Sequence, residues 1–169
     1  MLGNGTPLTG DWNGDGLTDI GVVNEQAVSL ALSNGTEFRP VSGNPVMVNL
    51  GTNNPSLGDL NGDGLTDLAY HDWWNGPLNY ALSTGAGFGP RDALRGVTFR
   101  RNLNDPGVNL TFGDVNGDGL ADPILLKPSA APELALTQGT MPDLLSGIAN
   151  GIGGTTTIQY QPSTQCDNV

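Results

Sequence analysis

At 169 residues the chain has the length of one domain, and 37% hydrophobic content supplies a modest core. A formal charge of -11, with six Lys and Arg against seventeen Asp and Glu and no basic aromatic patch, excludes a DNA- or RNA-binding role. No segment approaches the roughly 18 apolar residues of a membrane span, and 26 glycines with 12 prolines predict short strands joined by shaped turns.

The N-terminal Met1 to Pro7 has neither a basic start nor an apolar run, so export would need a signal elsewhere or a route that needs none. Pro7-Leu8 reads as the remnant of a strand. An acidic loop follows, Asp11-Trp12-Asn13-Gly14-Asp15-Gly16-Leu17-Thr18-Asp19, then a β-prone run over 20–23 and an alternating strand over 28–33. A turn at 34–38 places Phe38 to plug a sheet contact, and 46–50 reads as a strand leading to the next loop.

That loop is Asp59-Leu60-Asn61-Gly62-Asp63-Gly64-Leu65-Thr66-Asp67, followed by strands over 68–70 and 78–83 and a turn carrying Phe88. A strand over 108–112 leads to the third copy, Asp114-Val115-Asn116-Gly117-Asp118-Gly119-Leu120-Ala121-Asp122, with strands over 124–126 and 133–137 and a turn ending at Met141. The loops begin 48 and then 55 residues apart, the scale of a propeller blade, in which one unit buries its face only against its neighbours. A further strand is predicted over 155–160.

Each loop sets oxygen-bearing residues at positions 1, 3, 5 and 9, a pattern suited to a hard cation such as Ca²⁺. The expected ligands are Asp11, Asn13, Asp15, Leu17 and Asp19; Asp59, Asn61, Asp63, Leu65 and Asp67; and Asp114, Asn116, Asp118, Leu120 and Asp122, the leucines through their backbone carbonyls. An EF-hand would carry Glu at position 12, where this chain has Val22, Tyr70 and Leu125, so that motif is excluded. The competing reading is that Asn-Gly-Asp-Gly only turns a hairpin; three copies that keep the ninth-position Asp favour the ion, because bare carboxylates packed so closely would repel. Nine of the seventeen acidic residues sit in these loops. Up to three Ca²⁺ ions would therefore bring the balance to roughly -5, and loops lacking a bidentate Glu suit a calcium-rich, secreted or cell-surface setting.

The pattern Gly-Asp-x-Asn-Gly-Asp-Gly-x-x-Asp followed by a strand resembles the FG-GAP and VCBS-type repeats of integrin-like proteins, over about residues 8 to 142. The resemblance implies an all-β fold, a partial β-propeller of about three blades with Ca-binding loops, followed by a short C-terminal strand segment. It implies a role in adhesion, ligand binding or scaffolding. Residues 142–160, with Leu144, Leu145, Ile148, Asn150, Gly151 and a Thr-rich run, resemble the junction found in SpvB and insecticidal toxin-complex B proteins, which implies part of a large shell or assembly scaffold. Two regions are expected: a repeat domain over 1–142, and a junction segment over 143–169 that begins a further β region.

Other chemistry is sparse. His71 and Asp72 are sequence neighbours, so on a strand they face opposite ways, and no nucleophile is placed beside them. Trp12 sits where the other loops carry Leu60 and Val115, which favours packing. Trp73 and Trp74, with Asn75 and Asn79, offer core packing or an aromatic platform for a glycan or a protein. The run 151–155 lacks the lysine of a phosphate loop, Arg95, Arg100 and Arg101 read as a solvated group, and the single Cys166 allows no disulfide framework. The expected function is a calcium-stabilised, non-catalytic scaffold or protein-binding module of a larger exported toxin-like or surface protein, with the rest of that chain or toxin-complex subunits as partners. The alternative is a lectin-like adhesive module using Trp73 and Trp74.

Overall fold

The structure, a computed structural model, describes residues 4–24, 27–42, 46–47, 55–71, 78–94, 97, 99, 107–139 and 144–161. Fourteen strands are formed among them: β1 (Thr6–Gly10), β2 (Asp19–Val23), β3 (Ala27–Ser33), β4 (Phe38–Pro40), β5 (Val46–Met47), β6 (Ser56–Gly58), β7 (Asp67–His71), β8 (Leu78–Ala81), β9 (Asp92–Ala93), β10 (Asn109–Gly113), β11 (Asp122–Leu126), β12 (Glu133–Leu134), β13 (Gly147–Ala149) and β14 (Thr155–Thr157).

All pairings are antiparallel. The first sheet runs β1-β2-β3-β4 with β5 also on β3, the second β6-β7-β8-β9, the third β10-β11-β12, and β13-β14 is a separate hairpin. The all-β expectation holds, but the partial propeller does not: the four sheets are open, and none closes into a barrel or propeller. Each meander ends on two edges, and hydrogen bonds link the first sheet to the second and the second to the third. Two junctions among three sheets leave two end faces and enclose no ring.

The acidic loops occupy the same place in each sheet. They connect β1 to β2, β6 to β7 and β10 to β11, and the pairs Gly10↔Asp19, Gly58↔Asp67 and Gly113↔Asp122 close the ladders at the loop mouth. Pro7-Leu8, expected as a remnant, belongs to a full five-residue strand. Val46 and Met47 of the predicted 46–50 strand pair back onto Val28 and Ala27, and β6 leads into the second loop instead. Phe88 packs against the core, whereas Phe38 lies exposed at the sheet edge, so the plug expected of both is made by one.

Strand alternation divides each sheet into a leading face, towards the preceding sheet, and a trailing face, towards the next. Leu8, Trp12, Val23 and Leu30 on the trailing side of the first sheet form one cluster with Leu68 and Tyr70 of the second, and Leu57 and Phe88 pack against it. Leu60, Ala69 and Leu78 form the next cluster, contacted by Leu110, Phe112 and Ala121 of the third sheet. The core therefore lies between sheets, which is why no single repeat could bury it alone.

Glycine sets the closeness of these junctions. A Cβ on Gly58 would lie 3.1 Å from that of Phe112 and 3.2 Å from that of Ala121, and one on Gly10 would lie 2.7 Å from Thr66 Cγ2. Gly58→Val is expected to destabilise by about 1–3 kcal/mol through overpacking, and Trp12→Ala by about 3–5 kcal/mol through the cavity it leaves. Urea denaturation checks both, and a Trp12→Ala loss under about 1 kcal/mol would contradict the placement of the core between sheets.

Candidate functional site: three aspartate-anchored loops

Each loop is wound by its own carboxylates. Asp11 accepts backbone N–H bonds from Gly14 (2.7 Å) and Gly16 (2.9 Å), and Asp15 accepts one from Leu17 (2.8 Å). The Asn13 amide donates to the Asp15 carboxylate (2.9 Å), while its oxygen accepts from Asp15 N–H (3.2 Å). Gly14 and Gly16 have φ of 75° and 80°, the left-handed backbone that lets the chain curl around Asp11.

The second and third loops repeat this pattern. Gly62 and Gly64 donate to Asp59, and Gly117 and Gly119 to Asp114. Leu65 and Leu120 donate to Asp63 and Asp118, which also accept from the amides of Asn61 and Asn116.

The ninth position differs from the rest. Asp19, Asp67 and Asp122 are fully buried, and each holds two backbone N–H groups, one per carboxylate oxygen. One donor is the second loop residue: Trp12 (3.0 Å), Leu60 (2.8 Å) or Val115 (3.0 Å). The other comes from the end of the third strand, Ser33 (2.7 Å), or from just beyond it, Ser83 (2.7 Å) or Thr137 (2.8 Å). Reading the loops alone misses these three residues. Their signal is a hydroxyl residue 14, 16 and 15 positions after the ninth-position Asp. Ser83 Oγ further donates to the Trp12 carbonyl across the first junction (2.7 Å).

The calcium binding expected of these loops is not shown by this arrangement. Among the described residues, no group of three or more His, Cys, Asp or Glu side chains is gathered to hold a metal ion. The physical reason lies in the donors: the first- and fifth-position carboxylates face amides of their own loop, and the Asn side chain presents N–H groups to the fifth. The two oxygens of the ninth are taken up by one N–H of the loop and one at the end of the third strand. The repulsion that favoured an ion is relieved by N–H groups, each donating to a charged acceptor.

The glycan site has no support here: Trp73, Trp74 and Asn75 lie outside the described residues, and Asn79 is buried. Asp72, Arg95, Arg100, Arg101, Met141 and Cys166 also lie outside them. No helix among the described residues is long and apolar enough to cross a membrane.

Burial pushes the Asp67 carboxyl from its ordinary 3.8 up to about 6; the N–H groups of Ser83 and Leu60 oppose that rise, and the charges of Asp63 and Asp59 add to it. The folded chain thus holds this proton more tightly than the unfolded chain, and the resulting stabilisation is complete below about pH 3.8 and lost as pH rises through about 6. The stability of the native chain minus that of Asp67→Asn is expected to fall between those values and stay level above them, measured by urea denaturation at a series of pH values. A difference independent of pH would contradict the burial. Asp67→Ala, which strands two buried N–H groups, is expected to cost about 2–5 kcal/mol at neutral pH.

Residues 11–70 match the FG-GAP-like repeat, and residues 79–169, more than half of the chain, match the insecticide toxin TcdB middle/N-terminal region. No curated protein matches. Among solved structures, the Tc holotoxin pore of Photorhabdus luminescens contains a chain 26% identical, with a TM-score of 0.61. The crystal structure of TcdB2-TccC3-Cdc42 contains one that is also 26% identical, with a TM-score of 0.63. Both alignments cover 96% of this chain and 8% of the other, so the chain spans a small part of the length of those proteins. By the match over its second half, this chain belongs to the insecticide toxin TcdB middle/N-terminal region family.

Proposed function

We propose that the chain is a non-catalytic structural module of a large toxin-complex protein, where it supplies rigid β surface to an assembly. The observation that carries this reading is the match of nearly the whole chain to a small segment of very long Tc toxin chains. The site chemistry agrees with it. The recurring polar groups, from Asp11 to Asp122, are spent on backbone N–H groups of their own sheets, an arrangement suited to holding shape.

The partners on this reading are the rest of a longer polypeptide and other toxin-complex subunits, and the setting is secreted or cell-surface. The division into a repeat region over 1–142 and a junction segment over 143–169 belongs to the same proposal. Its boundary lies outside the described residues, and the self-paired hairpin β13-β14 supports a distinct second part. Six exposed strand residues in that hairpin, with Ile152 at its tip, suit a segment continued or covered by other chain.

Substitution of this chain for the matching segment of TcdB2 tests the reading. The chimera is expected to fold and still co-purify with TccC3 on size exclusion. A chimera that is folded by circular dichroism but no longer associates would count against it.

A further inference from the structure

Asparagine followed by glycine recurs along this chain, and each such step is a latent reaction. The glycine nitrogen, with no side chain beside it, can attack the preceding carboxamide carbon, provided that its N–H is not held elsewhere. In the acidic loops it is held: Gly14, Gly62 and Gly117 each donate to the first-position carboxylate at 2.7 Å. At Asn34-Gly35 the glycine N–H donates to Ser33 Oγ (3.1 Å).

Asn150-Gly151, at the turn of the β13-β14 hairpin, is built the other way. Gly151 N–H has no hydrogen-bond partner among the described residues, whereas Asn150 Oδ1 accepts two bonds, from the N–H groups of Ile152 (3.0 Å) and Gly154 (2.8 Å). The Asn150 N–H donates to the Gly154 carbonyl (3.0 Å) and closes the turn around the carboxamide. Gly154 is required by space: a Cβ there would overlap Asn150 Nδ2 and lie 3.0 Å from Asn150 Cγ. Residues 150–154 are all exposed, so water reaches the site.

We propose that Asn150 is a site of spontaneous deamidation in the folded chain, with the Gly151 nitrogen as nucleophile and the N–H groups of Ile152 and Gly154 as the donors that stabilise the oxyanion. Gly151 N bonds to Asn150 Cγ as its proton passes to water, and Oδ1 takes up negative charge between two donors already within hydrogen-bond distance. The tetrahedral carbon then expels Nδ2 as ammonia and leaves a succinimide. Water opens that ring at either carbonyl, giving aspartate or isoaspartate. The net reaction is carboxamide plus water to carboxylate plus ammonium, with no change of oxidation state. In the aspartate product the same two N–H groups face a charged acceptor, as those of Gly14 and Gly16 face Asp11. The inference rests on the hairpin turn alone and stands independently of the toxin-complex reading.

Peptide mapping by mass spectrometry, on native chain held at neutral pH, follows each asparagine by the mass change of NH₂ replaced by OH. Asn150 is expected to convert faster than Asn13, Asn61 and Asn116 by on the order of tenfold or more. Guanidinium chloride is expected to move the two classes in opposite directions. The loop asparagines speed up as their glycines leave the carboxylates, and Asn150 slows as it loses its donors. Gly154→Ala, which expels the carboxamide from the turn, is expected to slow Asn150 in buffer and leave the loop asparagines unchanged. The guanidinium comparison on the native chain keeps the test independent of how that variant folds. Conversion of Asn150 no faster than that of the loop asparagines, or faster in guanidinium chloride than in buffer, would overturn the proposal.

Discussion

A buried carboxylate with two backbone donors is the interaction on which each sheet depends. Asp19, Asp67 and Asp122 sit where the second strand begins, and each draws an N–H from the loop before it and an N–H from the end of the strand after it. One side chain thereby fixes the loop, the second strand and the third. Removing such a carboxylate from water is costly, and its two charge-assisted hydrogen bonds offset that cost. At Asp67 burial wins, which is why its proton is held up to about pH 6. An amide could not serve equally: Asn has one acceptor oxygen and would set its NH₂ against the second donor.

The loop wound above this anchor then becomes part of the junction. Its second residue donates to the buried Asp while its side chain turns to the next sheet, as Trp12 and Leu60 do. The first residue uses its carboxylate within the loop and its carbonyl across the junction. Local shape and intersheet contact therefore share atoms, so a disturbance of one loop is felt by two sheets.

Much of the fold was legible in the sequence, because alternating Leu, Tyr and Ala in 28–33 and 78–82 can satisfy a half-buried strand and little else. The loops were legible as turns but not in their chemistry. Oxygens at positions 1, 3, 5 and 9 look the same whether they face an ion or backbone N–H groups. What separates the two is the donor from Ser33, Ser83 or Thr137, which comes near only after the third strand has paired. The partial propeller was an expectation from repeat period and resemblance; repeat spacing fixes the size of a unit, whereas the arrangement of units depends on how they are joined. The strand β5 was misplaced because a short apolar run such as Val46-Met47 carries no signal for which neighbour it will pair.

The three loops are nearly identical in sequence but not in surroundings, and the differences run in one direction. At the seventh position Leu17 is 37% exposed while Leu120 is 2% exposed; at the second, Trp12 is fully buried and Val115 is half exposed. A loop with a sheet before it has a half-buried or buried seventh residue, Leu65 or Leu120, and a loop with a sheet after it has a buried second residue, Trp12 or Leu60. Burial at each position thus reports the presence of a neighbour more than the identity of the residue. Because the junction is heterologous, joining one face to a different face, it does not terminate itself as a two-fold contact would. An open array built on that rule retains one face of each kind. In this chain the leading face of the first sheet carries exposed Pro7 and Thr9 beside half-buried Ile20 and Val22, while the trailing face of the third exposes Val115, Leu126, Leu134 and Leu136 beside Asn109 and Thr111. The asymmetry of the ends follows from the direction of the junction, and sequence identity between the repeats conceals it.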